Sequence, residues 1–217
     1  MRLAVFGATG GIGLQLLRQA LGLGHEVTAV VRDASRLPAE LRGRLDVVEA
    51  DVMNPDAIVP AVKGCGAVLS AMGTRDRGPT TVHSASTTSI IQAMTQAQAR
   101  RMLLVSASGL VADAGDGFFT RYVLKPLIVQ RLLRHSYADL ARAEELLRAS
   151  DLDWTIVRPS RLLDTERPGQ YRTARDLNIR GGLSTTRADV AHCMLGLIDD
   201  PSSVRHVVSV ASQGPAV

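Results

Sequence analysis

Gly7, Gly10 and Gly13 in the stretch GATGGIG are spaced to hold a diphosphate. The first glycine permits a tight turn after a strand, the second lets backbone approach an anion, and the third lets the following helix pack on the strand. Amides at such a helix start face the anion, and Thr9 adds a hydroxyl. The competing reading is a purely structural turn. Further on, VVRDASRLP places Arg32 at the end of the next apolar run, where an acidic residue would hold a ribose 2′-hydroxyl. A guanidinium there pairs instead with a 2′-phosphate, which favours NADP(H) over NAD(H). Asp33 works against that preference and Arg36 for it, and a merely solvated arginine is the alternative.

In EADVMN, Asp51 can accept from the adenine amino group while Val52 flanks the ring; otherwise Asp51 caps a helix starting near Pro55. LSAMGTRD closes a later apolar run with Gly73, where backbone can pass the ribose and diphosphate.

Groups for proton chemistry are fewer. A tyrosine with a lysine one helical turn away would protonate a developing alkoxide, but the chain has only Lys63 and Lys125. Tyr137 opens a suitable helix, yet four residues on stands Ala141. Tyr122 and Lys125 share a spacing that puts them on one helix face, with the adjacent Pro126 and the apolar KPLIV arguing for a structural role. Ser106 and Ser108 are hydrogen-bond donors at a strand end, or caps of the next turn. The histidines fall on different elements, so no metal site is expected.

These residues need strand ends and helix starts to position them. Short runs rich in Val, Ile and Leu alternate with amphipathic segments throughout, which predicts a doubly wound α/β fold: a Rossmann-like parallel sheet of about seven strands with helices on both faces. Strands are expected over 2–6, 26–31, 45–49, 67–71, 101–106, 153–157 and 204–210, with helices starting near Gly11, Ala34, Asp56, Thr80, Tyr137 and Arg187. The rhythm breaks over 109–136, an apolar and basic insertion that reads as a substrate-covering arm or an oligomer-forming helix pair. With 217 residues and 46% hydrophobic content, the chain fits one domain over 1–217, its helical insertion at about 110–136.

Cys65 and Cys193 stand far apart in apolar contexts and read as reduced thiols. No apolar run approaches membrane length, and a cytoplasmic, soluble protein is expected. The net charge of +4 is spread out and only 3% of residues are aromatic, which argues against nucleic acid and for a basic mouth facing an anionic cofactor. The expected partner is a small planar substrate, and the expected state a monomer or homodimer.

The set GATGGIG, VVRDASRLP, ADV, AMGTRDRGPTTV and DLDWTIVRPSRLLD resembles the atypical short-chain dehydrogenase/reductase superfamily in its NAD(P)H-binding branch. Within that branch it is most similar to the group of biliverdin reductase B, a flavin reductase, and to bacterial NAD(P)-binding oxidoreductases. The resemblance covers essentially the whole chain. It implies that Gly7, Thr9, Gly10, Gly11 and Ile12 line the diphosphate, Arg32 the 2′-phosphate, and Asp51 and Val52 the adenine. Met72, Gly73, Thr74 and Arg75 would follow the ribose and diphosphate, and Ser106 to Ser108 with Pro159 to Leu162 would border the nicotinamide. Arg161 stands where the pattern has a histidine; it could clamp an anionic substrate, or pair with Asp164 or Glu166.

The chemistry matched by these residues is hydride delivery from NADPH to a small planar acceptor, such as a flavin, a quinone or another cyclic carbonyl compound, that takes its proton from water. A non-catalytic redox sensor of the nitrogen-regulator-like kind is the second reading, supported by the missing tyrosine and lysine pair. Epimerase or isomerase chemistry is the third, and this chain has little room for the lobe it would need.

Overall fold

The structure is a computed structural model and describes residues 1–74, 78–117, 134–165 and 169–212. Its centre is an eight-stranded sheet in the order β3-β2-β1-β4-β5-β6-β10-β8. The strands are β1 (Arg2–Phe6), β2 (Glu26–Val31), β3 (Asp46–Glu49), β4 (Ala67–Ser70), β5 (Arg101–Val105), β6 (Asp153–Pro159), β8 (Tyr171–Arg175) and β10 (His206–Ser212). All neighbours pair in parallel except β8, which runs antiparallel along β10 at the sheet edge. A second, two-stranded sheet pairs β7 (Arg161–Leu163) with β9 (Ser184–Thr186). This is the doubly wound, Rossmann-like α/β architecture expected from the alternation.

Period-two alternation explains the two layers. Within β1, Leu3 and Val5 face one core with Leu16 and Leu17 of α1 (Gly11–Gly22) and Val190 and Met194 of α6 (Arg187–Gly196). Ala4 and Phe6 face the other core, with Ile58 of α3 (Pro55–Val62), Ile90 and Met94 of α4 (Val82–Gln96), and Ala143 and Leu147 of α5 (Arg134–Arg148). Strands buried on both faces read as continuous apolar runs, which is why β1 and β2 have the expected bounds.

The differences from expectation have local causes. The strand count is eight in the main sheet plus two, because β7, β8 and β9 carry little apolar signal; the YRTAR of β8 has no fully buried residue. The helix expected from Ala34 is a three-residue 3-10 turn, Ala34–Arg36, followed by the short α2 (Ala39–Arg42), with Pro38 at the break. The last strand starts at His206, after Arg205 adopts a left-handed φ of 61°. Of the insertion, residues 118–133 lie outside the described part, and with them Tyr122 and Lys125. Among the described residues no helix is long and apolar enough to cross a membrane.

Candidate functional site

The strand order reverses direction at β1, between β2 and β4, and in doubly wound sheets the crevice that takes a ligand lies outside the carboxyl ends of the strands at such a point, here β1 and β4. Gly7 turns the chain there with a φ of +73°, and a Cβ on it would stand 2.3 Å from the Ala71 carbonyl oxygen. A Cβ on Gly13 would stand 2.1 Å from the Gly7 oxygen, so this glycine lets α1 lie directly on the turn. Gly10 caps α1 without any side-chain hydrogen bond, and the first turn of α1 holds no acidic residue. The leading amides of α1, with Thr9 half-buried before them, therefore meet no acidic side chain from their own helix. Ile12 is buried in the core beneath.

Across the crevice, Met72 packs on the core and Gly73 follows it. A Cβ on Gly73 would meet nothing within 4 Å, unlike those on Gly7 and Gly13. The space above this backbone is open, as a passing ribose and diphosphate would require. Thr74 ends the described part of the loop, and Arg75 lies outside it.

At the outer end, Arg32 is exposed directly after β2. Its neighbour Asp33 is turned to other work: its Oδ1 accepts from the Ser35 amide at 2.9 Å and the Ser35 hydroxyl at 2.6 Å. Those bonds hold its carboxyl below the usual range, so it is ionised but directed into the turn. Asp51 accepts the Met53 amide at 3.0 Å through Oδ1, a turn-forming bond, while the cap position of α3 falls to Asn54. The bond uses one carboxylate oxygen. Val52 beside it is buried.

The ends of β5 and β6 carry a buried charge network. Ser106 donates its hydroxyl proton to Glu144 Oε1 at 2.7 Å, and Glu144 also accepts from Arg158 Nε at 2.9 Å and Nη2 at 2.6 Å. Burial alone would raise the Glu144 carboxyl, but Arg158, Ser106 and Arg148 outweigh it and hold it below its ordinary value of 4.5. Ser106 has a single proton and sends it inward. Ser108 opens a 3-10 turn, Ser108–Leu110, and lines a small cavity of about 30 Å³ with Ser160, Asn178 and Ser209. Tyr137 lies against that turn, since a Cβ on Gly109 would stand 2.4 Å from its hydroxyl. Burial pushes the Tyr137 phenol up, so it stays protonated near neutrality.

Pro159 ends β6 and is buried, whereas Arg161, at the start of β7, is exposed. Asp164 pairs with Arg187. Among the described residues no group of three His, Cys, Asp or Glu side chains could hold a metal. The structure thus brings the β1 turn, Gly73 and the end of β2 to one crevice, and sets Ser108, Tyr137 and Pro159 about the ends of β5 and β6. Two residues here were not singled out by their sequence signal. Glu144 lies on a helix that only Tyr137 marked as a candidate, and Arg187 follows a threonine cap that marks only a helix start.

Comparison with known proteins agrees with this fold. The NAD(P)H-binding family profile matches residues 7–201. The chain is 26% identical over 219 residues to the uncharacterized protein YwnB of Bacillus subtilis, covering 98% of this chain and 99% of that one. In fold it is similar to the oxidoreductase ylbE of Lactococcus lactis, with a TM-score of 0.80, 22% identity, and coverage of 100% of this chain and 93% of that one. It is equally similar to a short-chain dehydrogenase/reductase of Veillonella parvula solved in complex with NADP, with a TM-score of 0.80, 20% identity, and coverage of 98% and 95%.

Proposed function

This chain belongs to the NAD(P)H-binding family, and from that premise we propose that it is an NADPH-dependent oxidoreductase, one domain over 1–217, that reduces a small planar acceptor such as a flavin, a quinone or another cyclic carbonyl compound. The observation that carries the proposal is the turn at the end of β1: Gly7 and Gly13 leave no room for a Cβ, so the start of α1 lies directly on the strand end, and no acidic residue stands in its first turn.

In this reading the amides of Gly11 and Ile12, with the Thr9 hydroxyl, take the diphosphate, while Gly10, whose amide donates to the Gly7 carbonyl at 2.9 Å, lets the backbone come close. Arg32 takes the 2′-phosphate, and Ser35 draws the ionised Asp33 carboxylate into the turn beside it. Asp51 keeps one carboxylate oxygen for the adenine amino group, and Val52 flanks the ring. Met72, Gly73, Thr74 and Arg75 follow the ribose. The bound cofactor supplies the hydride. Pro159 borders the nicotinamide, Ser108 orients the acceptor, and Arg161 holds an anionic substituent of it. Ser106 positions the end of β5 through Glu144. A protonated Tyr137 next to Ser108 offers a neutral donor; an acceptor that takes its proton from water requires no stronger acid.

The sensor reading has one observation in its favour. Among the described residues burial is the one influence resolved on the Tyr137 phenol, and no described cation lowers it towards a working acid.

The test is a titration with NADPH, then NADPH consumption against a panel of flavins and quinones beside a protein-free blank. Turnover above the blank supports the reductase. Binding without turnover on any acceptor moves the sensor ahead of it, and absence of NADPH and NADH binding refutes both.

A further inference from the structure

The space beside Gly11 is taken by a side chain from outside its own turn. A Cβ there would collide with the Arg187 side chain, 2.4 Å from Cδ and 2.6 Å from Nε, with the guanidinium carbon at 3.6 Å. The Arg187 stem therefore crosses the first residue of α1 and carries its cation to the helix end that the dinucleotide reading assigns to the diphosphate.

The placement is electrostatically unfavourable without an anion. Arg187 is itself the first residue of α6, so its charge lies at the positive ends of two helices. On α6 the buried Asp189 offsets this, but its oxygens are engaged by the Gly169 amide and the Ser212 hydroxyl. On α1 no acidic residue does so. The counter-ion in the structure is Asp164, whose side chain is 83% exposed while that of Arg187 is 28% exposed. An ion pair with one partner so open to water is weak and easily exchanged. A diphosphate brings more charge and a bidentate acceptor to a guanidinium already seated on the turn.

Resting on the dinucleotide reading, we propose that Arg187 is a diphosphate-binding residue that exchanges Asp164 for the bound cofactor. Asp164 is then its partner when no cofactor is bound.

Binding of NADP+ and of adenosine 2′-monophosphate, which has the adenine and 2′-phosphate but no diphosphate, separates the possibilities when measured calorimetrically on wild type, R187M and D164N. Methionine keeps the apolar stem over Gly11 and removes the charge. The expected result for R187M is ~10–100-fold weaker NADP+ binding, from the lost charge-assisted bonds, with adenosine 2′-monophosphate, which has no diphosphate, binding as it does to wild type. D164N should bind NADP+ as tightly as wild type or more tightly. NADP+ affinity within about twofold for R187M, an equal loss of both ligands, or a tenfold loss in D164N would each overturn the exchange while leaving the dinucleotide site intact. A wild type that binds neither ligand would sink the dinucleotide reading itself.

Discussion

Replacing Glu144 by alanine tests how the end of β5 is held. The carboxylate is 4% exposed and accepts from Ser106, twice from Arg158, and from Arg148 at 3.3 Å. The Arg158 side chain is itself only 11% exposed, so truncating Glu144 strands a mostly buried guanidinium. Breaking a buried pair on one side costs ~3–5 kcal/mol. At an m-value of ~2–3 kcal/mol/M, the urea midpoint should fall by ~1–2.5 M. Glu144→Gln keeps an acceptor for Ser106 and should lose less, about 1.5–3 kcal/mol for the charge-assisted part. Replacing both partners by apolar residues, E144L with R158M, should recover much of the single-mutant loss. The pH dependence has a definite sign. A carboxyl whose folded pKa is depressed contributes stability that is present above its ordinary value of 4.5 and disappears as pH falls through the lower folded value. The gap between wild type and E144Q should therefore be constant near neutrality and close in acid below 4.5. A midpoint shift under ~0.3 M for E144A, or a gap that widens in acid, would refute the network as described.

Arg32→Ala should weaken NADPH binding ~10–100-fold through the lost charge-assisted bonds and leave NADH within a few-fold; equal losses remove the 2′-phosphate assignment. Gly73→Ala should leave thermal stability unchanged or raise it by ~0.4–1 kcal/mol while weakening NADPH binding, since its Cβ meets open space in the protein; undiminished affinity would show that the space does not belong to the ligand. Gly7→Ala should instead destabilise by more than ~2 kcal/mol, having both a left-handed φ and a 2.3 Å collision, and a variant as stable as wild type in urea would contradict the turn geometry. Burial, with help from Asp189, pushes the Cys193 thiol up to about 12, and burial also raises Cys65. Iodoacetamide at pH 8 should accordingly leave Cys193 unmodified until urea unfolds the chain, a result that rapid native labelling, followed by mass spectrometry, would reverse.

The sequence by itself determined the layers and the place of the crevice. Apolar runs ended by glycine define β1, and GATGGIG carries its own backbone requirement, because φ > 0 at Gly7 and the missing Cβ at Gly13 concern neighbours a few residues away. The same locality gave β2 its bounds and put the start of α6 at Arg187, behind the Thr186 cap. The tertiary structure decided which partner each polar group chose. Ser106 stood out as a donor facing the site, and the fold turns its proton to Glu144 on α5. Arg161 could have met Asp164, yet Asp164 pairs with Arg187. Gly11 looked like one more glycine of the turn, and its space is taken by a side chain from the far end of the chain. β7, β8 and β9 escaped notice because short, partly exposed strands owe their pairing to neighbours across the sheet rather than to a pattern of their own. Dihedral preference and periodicity are properties of adjacent residues, whereas a hydrogen-bond or ion-pair partner is chosen by which elements the packed cores bring together.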